Sequence, residues 1–318
     1  MANAKEISNR IKSIKDTMKI TKAMYMMSSM KMRKARLQLE NTEPYFFGLQ
    51  HQITEILLHF PSIEHLFFDN RAQDQKEWVK RKAVIVVTAD KGMAGAYNQS
   101  VIREATEFLK TCEDYKLYVI GEVGRRYFSA RGYNIQEGFN YSVTNPSIHR
   151  ARVITELMVE MYKRDQIDSV HIIYTKMVNS MKSEVDVHQV LPLKTKDFVK
   201  QELATSTGDG AFDDSDYVVD PSPEKVIENL AYNYVTGILY GVLVESYASE
   251  ENSRMMAMQA ATDNAEAMLH DLSIEFNRVR QAAITQEITE VIGGAKALKK
   301  KKEKAKAARK ALAAKAEA

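Results

Sequence analysis

The chain has 318 residues, 45% hydrophobic and 27% charged, which excludes disorder throughout and suits one large soluble domain or two smaller ones. The formal net charge of +3 hides an asymmetry: residues 1–40 carry ten Lys or Arg against three Asp or Glu, and residues 295–318 carry ten against two. Both ends are therefore basic and the middle is acidic. A single cysteine, Cys112, excludes an internal disulfide, and the first residues lack the apolar core of a secretory signal, so a reducing, cytoplasmic setting is expected.

From Lys5 to about Leu39 there is no proline or glycine, and a seam runs through Ile7, Ile11, Ile14, Met18, Thr21, Tyr25, Ser28, Met32, Ala35 and Leu39. Steps alternating between four and three are those of a coiled-coil face. Pro44 predicts a kink or break, with helix resuming over 52–59 until Pro61. The period then changes. Segments 83–88, 116–120, 169–175 and 184–191 read as strands, and 99–110, 122–130 and 148–164 as helices between them, giving an alternating unit with a mostly parallel sheet. An acidic loop follows, containing Asp209, Asp213 and Asp214.

From Glu224 onward there is no proline, and Asp220-Pro221-Ser222-Pro223 supplies a helix start with acid at the positive end of the dipole. One helix from there to Ile292 spans roughly 100 Å at about 1.5 Å per residue, far more than a globular domain needs. Its most apolar run, 235–244, is about half the length required to cross a bilayer, so membrane association is expected to go through a partner. A second seam runs through Met258, Ala261, Ala265, Met268, Leu272, Phe276, Val279 and Ala283, and Gly293-Gly294 is expected to interrupt it. Two seams at opposite ends of the chain imply that the terminal helices pack antiparallel.

The residues also carry a resemblance. KITKAM at 19–24, KMRKA at 31–35, VVTADKGMAGAYN at 86–98, DYVVDPSP at 216–223, RMMAMQAATDNA at 254–265 and RQAAITQEITEVIGGA at 280–295 together resemble the gamma subunit of rotary ATP synthases. The likeness extends over nearly the whole chain up to Gly294. It implies a long antiparallel coiled coil of N- and C-terminal helices with a central Rossmann-like α/β domain. The boundaries expected are 1–60 for the first coiled-coil helix, 80–195 for the α/β domain, 196–223 for the acidic loop, 224–294 for the long helix and 295–318 for a Lys/Ala-rich extension.

The function implied is that of a non-catalytic central-stalk rotor, one copy per complex, coupling proton-driven rotation of the c ring to ATP synthesis or hydrolysis on the beta subunits. Its partners would be the alpha and beta subunits of the hexameric ring, the epsilon subunit and the c-subunit ring. The location implied is the cytoplasmic face of a bacterial inner membrane. By the same resemblance Arg280 and Gln281, with Thr285 and Glu287, are the expected catch residues for beta-subunit loops. Arg254, Arg33, Lys34 and Arg36 would meet acidic loops, and Met24, off the seam, would form part of a bearing. Tyr217 and Asp220 align with positions near the c ring and epsilon. The simpler reading of the charged residues is a solvated helix face.

No cofactor or metal is expected. The turn ADKGMAG has neither the GxxxxGK[ST] phosphate loop nor GxGxxG, and there is no HExxH or CxxC pair. The competing reading, a basic coiled-coil nucleic-acid-binding protein, follows from the charged ends but leaves the acidic middle unexplained. KALKKKKEKAKAARKALAAKAEA runs past the usual family end, and it is either a helical continuation of the rod or a disordered basic tail.

Overall fold

The structure is a computed structural model and describes residues 4–60, 63–68, 81–179, 182–195, 198 and 219–316. Its elements in chain order are α1 (Ala4–His59), β1 (Arg81–Val87), α2 (Tyr97–Lys110), β2 (Asp114–Ile120), α3 (Glu122–Ala130), α4 (Ile148–Lys163), β3 (Ser169–Met177), β4 (Ser183–Leu191) and α5 (Pro223–Ala316). Contacts divide the chain into two compact units, Met24–Met258 and a second made of Met1–Ala23 with Gln259–Ala318.

The larger unit is built on a four-stranded sheet in the order β2-β1-β3-β4. β1 runs parallel to β2 and β3, and β4 pairs antiparallel with β3 at the edge. A parallel strand covered on both faces has no solvent side, which is why β1 reads as an unbroken apolar run rather than an alternation. On one face Val101, Ile102, Ala105 and Leu109 of α2 and Phe128 of α3 pack on Val84, Val86, Val119 and Ile173. On the other, Ile154, Met158 and Tyr162 of α4, Ile53 and Ile56 of α1, and Val235, Leu239 and Leu243 of α5 share one core with Ile85, Val87 and Ile172.

Where β1 and β2 end, the chain needs glycine. Gly121 has φ of 92°, and a Cβ there would lie 2.0 Å from the Thr88 carbonyl oxygen. Thr88 fills the space left, donating to the Ile120 carbonyl at 3.0 Å and accepting from the Gly124 amide at 3.0 Å.

In the smaller unit Ile7 is buried and Ile11, Ile14, Met18 and Thr21 are half-buried, while the positions between them face solvent. Thr262 and Ala265 of α5 are buried, and Leu269, Leu272, Phe276 and Val279 are half-buried. The Thr21 and Thr262 hydroxyls meet at 2.8 Å, and Lys22 Nζ reaches Glu266 at 2.9 Å. The segments from the two ends of the chain do pack on one another.

Three expectations are corrected. Of the kink or break expected at Pro44, the break does not occur: α1 runs through it without ending. Proline removes one amide donor, but Glu40 and Pro44 are exposed, so the freed carbonyl can bond water while Leu49, Ile53 and Ile56 hold the following turns in the core. α5 likewise continues through Gly293-Gly294 to Ala316, because glycine costs a helix only about 1 kcal/mol and the Ala/Lys sequence beyond favours helix. Met268 is 46% exposed, and Leu269 holds the seam position instead, four residues after Ala265 and three before Leu272. Ala283 is also exposed. Pro61 lies outside the described residues.

Candidate functional site

The sequence-predicted contact residues fall into two groups. Arg280, Gln281, Thr285 and Glu287 are all exposed on α5 in the smaller unit, where Thr285 Oγ1 bonds back to the Gln281 carbonyl at 2.9 Å. Exposed apolar residues recur on the same stretch at Ile284, Ile288, Val291 and Leu298, a spacing of four, three and seven. Among the described residues none buries that stripe, so α5 here presents polar and apolar side chains to solvent together.

In the larger unit Arg33, Lys34 and Arg36 are exposed on α1, and Arg36 Nη2 lies 2.9 Å from Met177 Sδ. Met26, Met27 and Met30 are at least half exposed, whereas Met24 is half-buried at a cleft of about 210 Å³. Lys31, Asp90, Glu250, Glu251 and Arg254 line the same cleft. Met26, Met27 and Met30 are thus more exposed than Met24. Asp220 is exposed just ahead of α5, and Tyr217 and the acidic residues Asp209, Asp213 and Asp214 lie outside the described residues.

Arg254, expected to meet a partner's acidic loop, is turned inward instead. Its side chain is 10% exposed, with Nη2 2.5 Å from Glu250 and Nη1 2.9 Å from Glu251. Residues three and four apart share a helix face, and a planar guanidinium fits two carboxylates better than any other cation. Lys31 of α1 reaches Glu251 at 3.4 Å, so the cluster also joins α1 to α5. Burial pushes the Glu250 carboxyl up, and Arg254 only partly offsets it. Beside them Tyr97 and Ser246 share a buried hydrogen bond of 2.7 Å.

Asp90, in the turn after β1, is another carboxylate put to structural use. It accepts from Ser142 Oγ, from Thr144 Oγ1 at 2.9 Å and from the Val143 amide at 3.2 Å, pinning the loop that leads to α4. Burial raises its pKa, but the hydrogen bonds from Ser142 and Thr144 outweigh that and hold it below the usual range. Sequence reasoning missed Glu250, Glu251 and this role of Asp90. The Glu-Glu pair followed by Arg at i+3 and i+4 was the available signal. Among the described residues no group of three or more His, Cys, Asp or Glu has metal-site geometry, and no helix is long and apolar enough to cross a membrane.

Residues 3–298 match the sequence family described as ATP synthase, which sets the class of the protein. An ATP synthase gamma chain of Acetivibrio thermocellus is 42% identical over 299 residues, covering 94% of this chain and all of that one. The sodium-ion-specific gamma chain of Acetobacterium woodii is 36% identical over 304 residues, covering 93% and 99%. The chain belongs to the ATP synthase gamma chain family. In three dimensions it is similar to a chain in the OSCP/F1/c-ring structure of the Euglena gracilis mitochondrial ATP synthase, with TM-score 0.61 at 15% identity over 93% of this chain and 94% of that one. A chain of the central stalk/c-ring structure from Tetrahymena thermophila has TM-score 0.54 at 23% identity, covering 76% and 99%. Those two likenesses bear on the fold. Nothing in these comparisons supports the nucleic-acid-binding reading.

Proposed function

We propose that this chain is the non-catalytic central-stalk rotor of an ATP synthase, turning within a ring of alpha and beta subunits and coupling ion-driven c-ring rotation to chemistry on beta. The observation that carries the reading is the pairing of the two chain ends through Thr21–Thr262 and Lys22–Glu266, in a chain whose sequence belongs to the gamma family. Residues 1–60 and 224–294 serve as the rod, 80–195 with the 196–223 loop as the foot, and 295–318 as an added extension. One copy per complex is proposed, peripheral to the cytoplasmic face of a bacterial inner membrane and held there by epsilon and the c ring.

Torque needs polar grips on a stiff rod, since an apolar cylinder alone would slip. Arg280, Gln281, Thr285 and Glu287 supply the catch on α5, with Arg33, Lys34 and Arg36 on α1 engaging acidic loops. Such exposed pairs are worth about 0–1 kcal/mol each, weak enough to be exchanged at every step of a turn. Met24 and its exposed neighbours give a polarizable surface that tolerates several similar fits. Arg254 contributes by fixing α1 to α5 through Glu251. Tyr217 and Asp220 belong to the contact with epsilon and the c ring.

Co-expression with alpha and beta subunits tests this directly. A complex of fixed stoichiometry with ATPase activity, absent when this chain is omitted, is expected. Recovery of alpha and beta without this chain bound would overturn the proposal.

A further inference from the structure

One feature of the larger unit is unused by the rotor role: a cleft of about 340 Å³ at the carboxyl end of the sheet, lined by Tyr97, Ser100, Thr175, Ser183, Asn252 and Ser253 among others. In the order β2-β1-β3-β4, the chain leaves β1 toward β2 on one side and returns to β3 on the other. Crevices beyond the strand ends at such a reversal are where open parallel sheets hold ligands. The cleft opens beside the N-terminus of α2, a helix of 14 residues whose first position follows Ala96 with no side-chain cap. Of the first-turn amides, those of Tyr97 and Ser100 donate to the Ala94 and Ala96 carbonyls. The other two residues of that turn, Asn98 and Gln99, do not line the cleft, so what α2 brings to it is the positive end of its dipole and the Ser100 side chain.

A second, independent observation comes from β3. Thr175 is 3% exposed, and its Oγ1 has no hydrogen-bond partner among the described residues. Strand alternation puts Thr175 on the face of Ile173, the α2 side, which is the side of the cleft it lines. A buried hydroxyl left unbonded costs about 1–3 kcal/mol, so a native chain keeps one where something else completes the bond. One turn before Ser253 on α5, Ser249 Oγ is also buried without a partner among the described residues.

We propose that this cleft binds a small tetrahedral oxyanion, held by the α2 N-terminus and the hydroxyls of Thr175, Ser100 and Ser183. Hydroxyls are donors matched to phosphoryl oxygens, and the positive end of the helix dipole favours the charge. No cationic side chain lines the cleft, so the binding is weak and reversible. The chemistry is shared by free phosphate and by the phosphoryl group of a nucleotide.

The test is a titration of the isotope-labelled full-length chain with inorganic phosphate, following the amides of Gly95, Ser100 and Thr175 by NMR, beside Thr175→Val. Saturable shifts at these amides are expected, with the dissociation constant about tenfold larger in Thr175→Val. Phosphate should raise the melting temperature of the parent more than that of the variant. Should Thr175→Val misfold, Ser183→Ala carries the same comparison. ADP saturating the same amides at lower concentration than phosphate assigns the oxyanion to a nucleotide, and the reverse order assigns it to free phosphate. Absence of shifts, identical shifts with sodium chloride at equal ionic strength, or equal affinity in parent and variants overturns the proposal.

Discussion

Arg254 and Arg280 are the same side chain put to opposite uses. Arg254 is buried between Glu250 and Glu251, so removing it leaves Glu250 buried without its cation and Glu251 with Lys31 alone. Arg254→Ala should cost about 3–5 kcal/mol, measured by urea unfolding, and Arg254→Lys should recover part of that because one ammonium cannot fork to both partners. Arg280 is exposed, and Arg280→Ala should leave the stability within about 0.5 kcal/mol of the parent. In the assembled complex the same change should lower ATPase turnover by about fivefold, the equivalent of roughly 1 kcal/mol of lost grip. A full-rate complex would remove Arg280 from the catch. Glu245 gives a pH signature: burial raises its pKa, offset in part by Lys176. A folded value above the unfolded one means its stability contribution is complete below the ordinary carboxylate range and lost as pH rises through the raised value. Glu245→Gln should abolish that part of the decline, read from urea midpoints across acid to neutral pH.

At the scale of elements, two kinds of glycine in α5 separate packing from propensity. A Cβ on Gly237 would lie 2.1 Å from Cδ1 of Phe46 on α1, so the two helices approach through the missing side chain. Gly237→Ala should destabilise by about 1–3 kcal/mol, because the Phe46 ring must move within a filled interface. Nothing lies within 4 Å of a Cβ on Gly293 or Gly294. Alanine at either should stabilise the isolated chain by up to about 1 kcal/mol, observable as a higher helix melting temperature by circular dichroism. The same contrast explains what could be read beforehand. The seam from Ile7 to Leu39 was legible because period is a local property, and all ten of its positions are buried or half-buried. The choice of Leu269 over Met268 was not legible, since both are apolar and only a partner helix decides between adjacent positions. A break at Pro44 or at Gly293-Gly294 does not occur because local breakers act against helix by a few kcal/mol at most, which neighbouring turns can absorb.

For the whole molecule, the family match ends at residue 298, and curated relatives are covered to their full length by 94% of this chain. Most of the lysine-rich stretch lies beyond that match. Deleting residues 295–318 should leave head assembly and rotation-coupled hydrolysis largely intact, assayed as ATPase activity of the reconstituted complex. Loss of assembly would show the extension to be part of the rod.

The sequence alone determined the order and type of the elements, the mostly parallel sheet and the family, because each rests on periodicity, turn chemistry or contiguous strings of residues. Only the tertiary structure decided which charges are available to a partner. Arg254 and Arg280 both sit in helical, family-like strings, and nothing local distinguishes them. The difference arises from what packs alongside: Lys31 and the β1 turn close over one, and solvent surrounds the other. Burial is a property of contacts far apart in the chain, and with it come the raised carboxyl of Glu250, the lowered one of Asp90 and the unbonded hydroxyl of Thr175.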